Sequence, residues 1–162
     1  MQKLKTLNKR VNVYVADSLL CKGKGLFSAK SFQKEELVYE FEGEYIKGDL
    51  SNISNPYVLQ LDVGLYFLPF NEGKYLNHSC EPNCKIVWEN NRVLLIAIKD
   101  IKKDEELSYN YNTTEFDMGP DWFICSCGSN SCYKVIKGFK YLSKEQKYKI
   151  KDLILPYLYR FL

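Results

Sequence analysis

Asn77-His78-Ser79-Cys80-Glu81-Pro82-Asn83 is the stretch on which the reading of this chain turns. It holds the single histidine of 162 residues and one of the six cysteines, and Cys84 follows at once. Three more cysteines, in Cys125-Ser126-Cys127 and at Cys132, are separated by the turn-prone Gly128-Ser129-Asn130-Ser131, as a metal loop requires. A closed structural zinc site takes four ligands, so three local thiolates need a fourth from elsewhere. Cys80, Cys84, Cys21 and His78 are the candidates, and spacing alone does not choose among them. The first twenty residues carry Lys3, Lys5, Lys9 and Arg10 with no apolar block behind them, so no secretory signal is read. Thiols and metal are therefore expected rather than disulfides.

Composition narrows the class. Aromatic residues reach 15%, hydrophobic ones 46% and charged ones 27%, which excludes a solvated, disordered chain and fits one globular domain. The longest apolar run, Val93-Leu94-Leu95-Ile96-Ala97-Ile98, is far too short to span a membrane. A net charge of +3 is too mild to argue for direct nucleic-acid binding, and none is expected. The one basic excess lies between Lys134 and Lys151 and reads as a solvated face.

Around the histidine the pattern is of short strands. Val11-Asn12-Val13-Tyr14-Val15 alternates as a half-buried strand does. Leu37 to Ile46 reads as one or two strands around Gly43, and Tyr57 to Val63, Lys85 to Trp88 and Arg92 to Ile98 come after it. Asn90-Asn91 between the last two predicts a tight hairpin. The C-terminal part differs: Ser143 to Gln146 has the form of a capping box. Apolar residues then recur at Ile150, Leu153, Ile154, Tyr157, Leu158 and Phe161 with helical spacing, and Pro156 should kink or split that helix.

Taken together, the motifs resemble those of the SET-domain protein-lysine methyltransferases. Asn77 to Asn83 is similar to that family's signature. Gly23-Lys24-Gly25-Leu26-Phe27 resembles its N-terminal cofactor loop, and Tyr39-Glu40-Phe41-Glu42-Gly43-Glu44-Tyr45-Ile46 the strand segment after it. Glu105-Glu106-Leu107-Ser108-Tyr109-Asn110-Tyr111 resembles the catalytic segment. Cys125 to Cys132, followed by Ile136-Lys137-Gly138-Phe139, resembles the post-SET zinc element. The likeness runs in order from about Val11 to Phe139. It implies a mainly β fold of several small curved sheets with a knot-like crossing at the Asn-His segment, plus a short C-terminal helical segment. The implied organisation is a lead-in over 1–10, a SET domain over 11–112, a post-SET segment over 113–139 and an amphipathic helical segment over 140–162.

The resemblance also implies roles. Cys80 joins Cys125, Cys127 and Cys132 as the zinc ligands, leaving Cys84 and Cys21 as ordinary buried thiols. S-adenosylmethionine is the implied cofactor, held by Lys22, Gly23, Lys24, Gly25, Tyr57, Asn77 and His78. Tyr111 is the implied catalytic residue, and Tyr57 and Tyr109 line the lysine channel, with Tyr109 at the position that sets how many methyls are added. Its hydroxyl implies mono- or di-methylation. Lys22 stands where arginine is frequent, Asn110 where aspartate is frequent and Tyr133 where glycine is frequent, and none removes a group the chemistry needs. No cysteine-rich segment precedes Val11, so no second zinc cluster is expected. The expected partner is a protein with an exposed lysine, such as a histone tail, in an intracellular compartment, cytoplasmic or nuclear. A non-catalytic SET-like module that binds a lysine-bearing partner is the competing reading.

The implied chemistry suits these residues. A free lysine has a pKa of about 10.4, so presenting its neutral amine at pH 7 costs roughly 4–5 kcal/mol. An apolar aromatic channel beside a sulfonium lowers that cost by disfavouring the ammonium. Tyrosine, with a reference pKa of about 10, is a poor general base at neutral pH, so positioning and electrostatic roles are expected of Tyr111.

Overall fold

The structure is a computed structural model that describes residues 12–50 and 54–162; the lead-in and Val11 lie outside the described residues. Short strands dominate. In chain order they are β1 (Val13–Asp17), β2 (Lys24–Ser28), β3 (Leu37–Glu40), β4 (Gly43–Lys47), β5 (Leu59–Asp62) and β6 (Leu65–Pro69). The series continues with β7 (Asn77–His78), β8 (Cys84–Glu89), β9 (Arg92–Ala97), β10 (Ser108–Tyr109), β11 (Phe123–Ile124) and β12 (Val135–Ile136). They form two three-stranded sheets, ordered β3-β9-β8 and β4-β6-β5, and three two-stranded pairs, β1-β2, β7-β10 and β11-β12. The mainly β architecture expected from the sequence is therefore present.

Sequence features explain the elements. Leu37 to Ile46 makes two strands rather than one, broken between Glu40 and Gly43. A Cβ at Gly43 would lie 2.3 Å from the Leu68 carbonyl oxygen and 2.5 Å from the Phe67 ring, so only glycine lets β4 approach β6 this closely. Asn90 and Asn91 both take positive φ, 50° and 55°, as a two-residue type I′ turn between β8 and β9 requires. β9 is the central strand of its sheet, and Val93, Leu94, Leu95 and Ala97 are buried. That burial is why its sequence runs apolar rather than alternating.

The parallel pair sets the position of the histidine. β7 and β10 lie side by side in the register Asn77↔Ser108 and His78↔Tyr109, joining segments far apart in sequence where the knot-like crossing is expected. Beyond β10 the chain enters the interior as a polar stretch, with Asn110, Asn112, Thr113 and Thr114 all buried. Burial of that many polar groups is tolerable only when they are hydrogen-bonded. Asn110 Oδ1 accepts from the Asn112 amide N–H and side chain, each at 3.1 Å, while Thr113 Oγ1 donates to the Asn110 carbonyl at 2.6 Å. Asn110 Nδ2 has no partner, the one donor that the asparagine-for-aspartate departure leaves over.

The C-terminal segment is less helical than its periodicity suggests. The capping box forms: Ser143 Oγ accepts from the Gln146 N–H at 3.2 Å and Gln146 Oε1 from the Ser143 N–H at 2.9 Å. The α-helix it starts, α1, covers only Lys144–Lys149, and the chain then turns before a 3-10 helix over Pro156–Phe161. Pro156 opens that 3-10 helix, at a position where no N–H is needed, and the Leu155 N–H before it donates to the Thr113 carbonyl at 2.9 Å. Ile150, Ile154, Leu155, Tyr157 and Leu158 are buried in the main core, and the Tyr157 hydroxyl donates to the Thr114 carbonyl. The apolar spacing thus reports packing against the 110–114 stretch rather than one continuous helix.

Gly138 joins that stretch to the cysteine-rich part. Its φ is +115°, its N–H donates to Asn112 Oδ1 at 3.1 Å, and an added Cβ would sit 2.6 Å from the Phe116 carbonyl oxygen. Gly138→Ala is therefore expected to destabilise the fold by about 2–4 kcal/mol, since strain and backbone clash act together. Urea unfolding checks this, and a midpoint equal to that of the unmodified chain refutes it.

Candidate functional site

The two cysteine-bearing segments meet on one face. Cys80, Cys125, Cys127 and Cys132 place their sulfurs within 4.8 Å of one another, with Cys80 Sγ 3.8 Å from Cys125 Sγ and 3.9 Å from Cys132 Sγ. A zinc–sulfur bond of about 2.3 Å sets edges of about 3.8 Å in a tetrahedron of thiolates. Backbone N–H groups already point at the sulfurs: Tyr133 at Cys80 (3.3 Å), Lys134 at Cys132 (3.4 Å) and Cys127 at Cys125 (3.4 Å). Burial pushes the Cys125 thiol up to about 12 and raises Cys80 as well, whereas at Cys127 burial is outweighed by hydrogen bonding led by Ser129, which draws it down to about 6. It is therefore the Cys80–Cys125 pair that needs a compensating cation to ionise. The donor set and its spacing fit zinc. Around it Ile136, Met118 and Phe123 form a second small core.

Cys84 is a fully buried thiol in β8, as expected. Cys21 is not: it is exposed, in the turn between β1 and β2, at the wall of a large cavity. Its local amide donates to Ser18 Oγ at 3.1 Å, so a side chain–capped turn rather than a strand sets its position.

That cavity has a volume of about 370 Å³. Tyr57, Asn77, His78, Tyr109 and Tyr111 all line it, together with Phe123 from β11. His78 is buried, and burial holds its pKa down at about 3, so the ring is neutral. Its Nδ1 accepts from the Tyr111 N–H at 3.0 Å, while Nε2 lies 3.2 Å from Cys80 Sγ. Both ring nitrogens thus serve the protein, which leaves the backbone and ring face for any ligand. The His78, Tyr109, Tyr111 and Phe123 rings pack together, with centroids 4.8–5.9 Å apart. The Tyr111 hydroxyl donates to the Leu76 carbonyl at 2.9 Å. Burial raises the pKa of both Tyr111 and Tyr109, so both hydroxyls stay protonated at neutral pH. Tyr57 sits half-exposed at the rim.

Lys22, Gly23, Lys24 and Gly25 stand outside the lining, where Leu20 and Cys21 take the equivalent wall. Lys24 pairs with Asp17 at 2.7 Å on the exposed hairpin. Gly25 is explained by a residue to which sequence reading gave no role. A Cβ there would lie 2.3 Å from Glu106 Oε1, and Glu106 organises the whole turn. Its carboxylate accepts from Ser18 Oγ (2.7 Å), the Leu19 N–H (2.6 Å) and Asn77 Nδ2 (3.2 Å). Asn77 Nδ2 also donates to the Lys24 carbonyl at 2.8 Å, so β7 and the β1-β2 turn are tied together. Glu106 lies in an acidic pair before an apolar residue, and only that pairing could have signalled it.

The cysteine-bearing segment is clamped over this wall. Ser126 Oγ donates to the Leu20 carbonyl at 2.9 Å, and Ser131 Oγ to Glu81 Oε1 at 2.6 Å. On the opposite wall Glu115 reaches β5, where its Oε1 accepts from the Gln60 N–H at 2.8 Å and from Thr114 Oγ1 at 3.2 Å. Burial raises its pKa to about 7 in spite of those donors. Sequence reading did not find Glu115, because a single glutamate just past a motif carries no spacing signal.

Known proteins fit this geometry. A family model described as SET domain matches residues 23–112. The chain is 32% identical over 143 residues to Histone-lysine N-methyltransferase trr of Drosophila melanogaster, covering 77% of this chain and 6% of that protein. It is 31% identical over 141 residues to Histone-lysine N-methyltransferase 2D of Homo sapiens, covering 76% and 2% respectively. Among solved structures, an active polycomb repressive complex 2 in the stimulated state has a chain that is 32% identical, with a TM-score of 0.51 over 62% of this chain and 15% of that one. The chain therefore spans a small part of each relative's own length.

The raised carboxyl of Glu115 has a consequence for stability. Its ordinary value is 4.5 and its folded value about 7, so the folded state holds the proton more tightly. Stability from this group is full below about pH 4.5 and falls as pH rises through 7. Glu115→Gln is expected to remove that decline, read as the change in urea midpoint between pH 4.5 and 7.5 relative to the unmodified chain. An identical decline in both proteins refutes it.

Proposed function

This chain belongs to the SET-domain family, and from that premise we propose that it transfers methyl groups from S-adenosylmethionine to the side-chain amine of lysine in a protein. The observation that carries the reading is the placement of Tyr109 and Tyr111 beside Asn77 and His78 in the wall of one cavity, through the β7-β10 pairing. The histone-lysine methyltransferase names of the relatives support a histone tail or another lysine-bearing protein as substrate.

S-adenosylmethionine, when bound, supplies an already activated methyl on a sulfonium. Residues of this chain then have three tasks. Asn77, His78 and the turn at Leu20 and Cys21 bind the cofactor, the turn through backbone groups held in place by Glu106, which accepts from the Leu19 N–H, and by Asn77, which donates to the Lys24 carbonyl. Tyr57, Tyr109 and Tyr111 enclose the lysine, exclude water and disfavour its ammonium form, so that a neutral amine is presented in line. Tyr111, protonated and fixed by its bond to Leu76, orients the amine and takes no proton. The Tyr109 hydroxyl at the channel limits the room for a methylated amine, which favours mono- or di-methylation.

Cys80, Cys125, Cys127 and Cys132 would hold one zinc. It would fix Phe123 and Ser126 over the cavity, since both lie in or beside the segment those cysteines bracket.

Purified protein is expected to transfer labelled methyl from S-adenosylmethionine to core histones. Tyr111→Phe should keep cofactor affinity while losing about 100-fold or more of turnover, as misplacement of a reacting amine by about 1 Å does. Near-normal turnover in that variant refutes the role. Stripping zinc with a chelator is expected to lower the melting temperature and to weaken S-adenosylhomocysteine binding together, as titration calorimetry would show. Unchanged cofactor affinity in verified metal-free protein refutes the closure.

A further inference from the structure

The cavity wall carries a part-buried carboxylate that methyl transfer does not use. Glu115 is held rigidly. Its N–H donates to the Tyr111 carbonyl at 2.9 Å and its carbonyl accepts from the Phe139 N–H at 2.8 Å, while Oε1 is fixed by Gln60 and Thr114. Glu115 lines the cavity with Tyr57, Tyr109 and Tyr111. We propose that the Glu115 carboxylate, pinned at this wall, is the counter-ion for a cationic side chain of the protein substrate and so determines which substrates are accepted. The proposal rests on the methyl-transfer reading and adds a substrate requirement to it.

Charge balance is the reason. Among the described residues Glu115 forms no ion pair, and Lys74, which lines the same cavity, makes none with it. Of the other carboxylates of the wall, Asp117 has a cation, and Asp121, like Glu115, has hydrogen-bond donors but no ion pair among the described residues. Asp117 pairs with Lys140 at 2.5 Å and accepts from the Gly119 N–H at 3.0 Å. Asp121 accepts from Ser54 Oγ at 2.5 Å and the Asn55 N–H at 2.9 Å. A carboxylate taken out of water without a cation is costly, and the cost is recovered when a ligand brings the cation. Both molecules of this reaction bring cations, the cofactor its sulfonium and α-ammonium and the substrate its basic side chains, and Glu115 is assigned to the substrate. Two sources share that chemistry: the ammonium of the target lysine as it enters, and a basic residue beside it.

The competing role is a purely structural bridge from the 110–116 stretch to β5. Glutamine separates the two, because its Oε1 can still accept from Gln60 and Thr114 but carries no charge. Three fluorescein-labelled, end-capped peptides serve as probes against the full chain loaded with S-adenosylhomocysteine. One has a single lysine among uncharged residues, the second has that lysine flanked by arginines, and the third has the arginines with norleucine in place of lysine. Glu115→Gln is expected to weaken binding of at least one peptide by about tenfold or more, as loss of a desolvated charge partner does, with S-adenosylhomocysteine affinity unchanged. Glu115→Asp should recover part of the loss.

A loss on the single-lysine peptide identifies the target ammonium as the cation. A loss confined to the arginine peptides, including the norleucine one, identifies a flanking residue. Equal binding of all three peptides to Glu115→Gln and the unmodified protein overturns the proposal. So does a loss of cofactor affinity in place of peptide affinity, or no peptide binding by the unmodified protein. Labelled transfer to the same peptides tests the underlying reading separately. Glu115-dependent binding without any methylation would refute methyl transfer alone, and methylation with Glu115-independent binding would refute this proposal alone.

Discussion

A neutral imidazole stands between the two chemical centres of this molecule. His78 accepts the Tyr111 N–H on one nitrogen and faces Cys80 Sγ with the other, so the tyrosine and the thiol cluster are fixed through one ring. The arrangement works only because β7 pairs in parallel with β10, which brings His78 level with Tyr109 and the next residues into reach. Burial keeps the ring uncharged, and an uncharged ring has one donor and one acceptor, which is what an amide N–H and a sulfur require. A protonated ring would have no acceptor to offer Tyr111. The single histidine of the chain is thus an orienting group, and the aromatic wall around it is built on that orientation.

Polar residues, not only apolar ones, make the interior specific. The Asn110–Thr114 stretch is buried yet hydrogen-bonded almost throughout, by its own side chains, by Gly138, and by Leu155 and Tyr157 from the C-terminal segment. Such a network admits few alternative packings, since each displaced group would leave another unpaired. Glu106 plays the same part on the other wall, where Ser18, Leu19 and Asn77 converge on one carboxylate and Asn77 reaches on to Lys24. Two polar hubs, satisfied but for Asn110 Nδ2, therefore brace the segments that carry the cavity-lining residues Asn77 and Tyr111.

Much of this was legible in the residues. Gly43, Asn90-Asn91 and the Ser143–Gln146 box announced their turns and cap because each has a conformational demand that few residue types meet. The motif order placed Tyr57, Tyr109, Tyr111, Asn77 and His78 in one cavity, and Cys80 with the three later cysteines, although spacing by itself left the fourth ligand open. What was not legible depends on tertiary partners. Helical periodicity over 150–161 gave no hint that Leu155 would donate to Thr113, which competes with continuation of α1. Cys21 read as a buried thiol because nothing local shows that Ser18 caps its turn and leaves it exposed. Gly25 reads as a cofactor glycine, and the group that an added Cβ there would meet, the Glu106 carboxylate, comes from a segment remote in sequence.

The bonds from Leu155 and Tyr157 to Thr113 and Thr114 have a consequence for the order of assembly. A ribosome delivers the Tyr111 segment well before it delivers the residues that complete its hydrogen bonding. Until then the buried carbonyls of Thr113 and Thr114 lack their partners, and domains generally fold as units during synthesis. The nascent chain is thereby kept from closing its interior early. A message cut short before residue 155 would yield a protein with every signature motif and an unfinished floor beneath its aromatic wall.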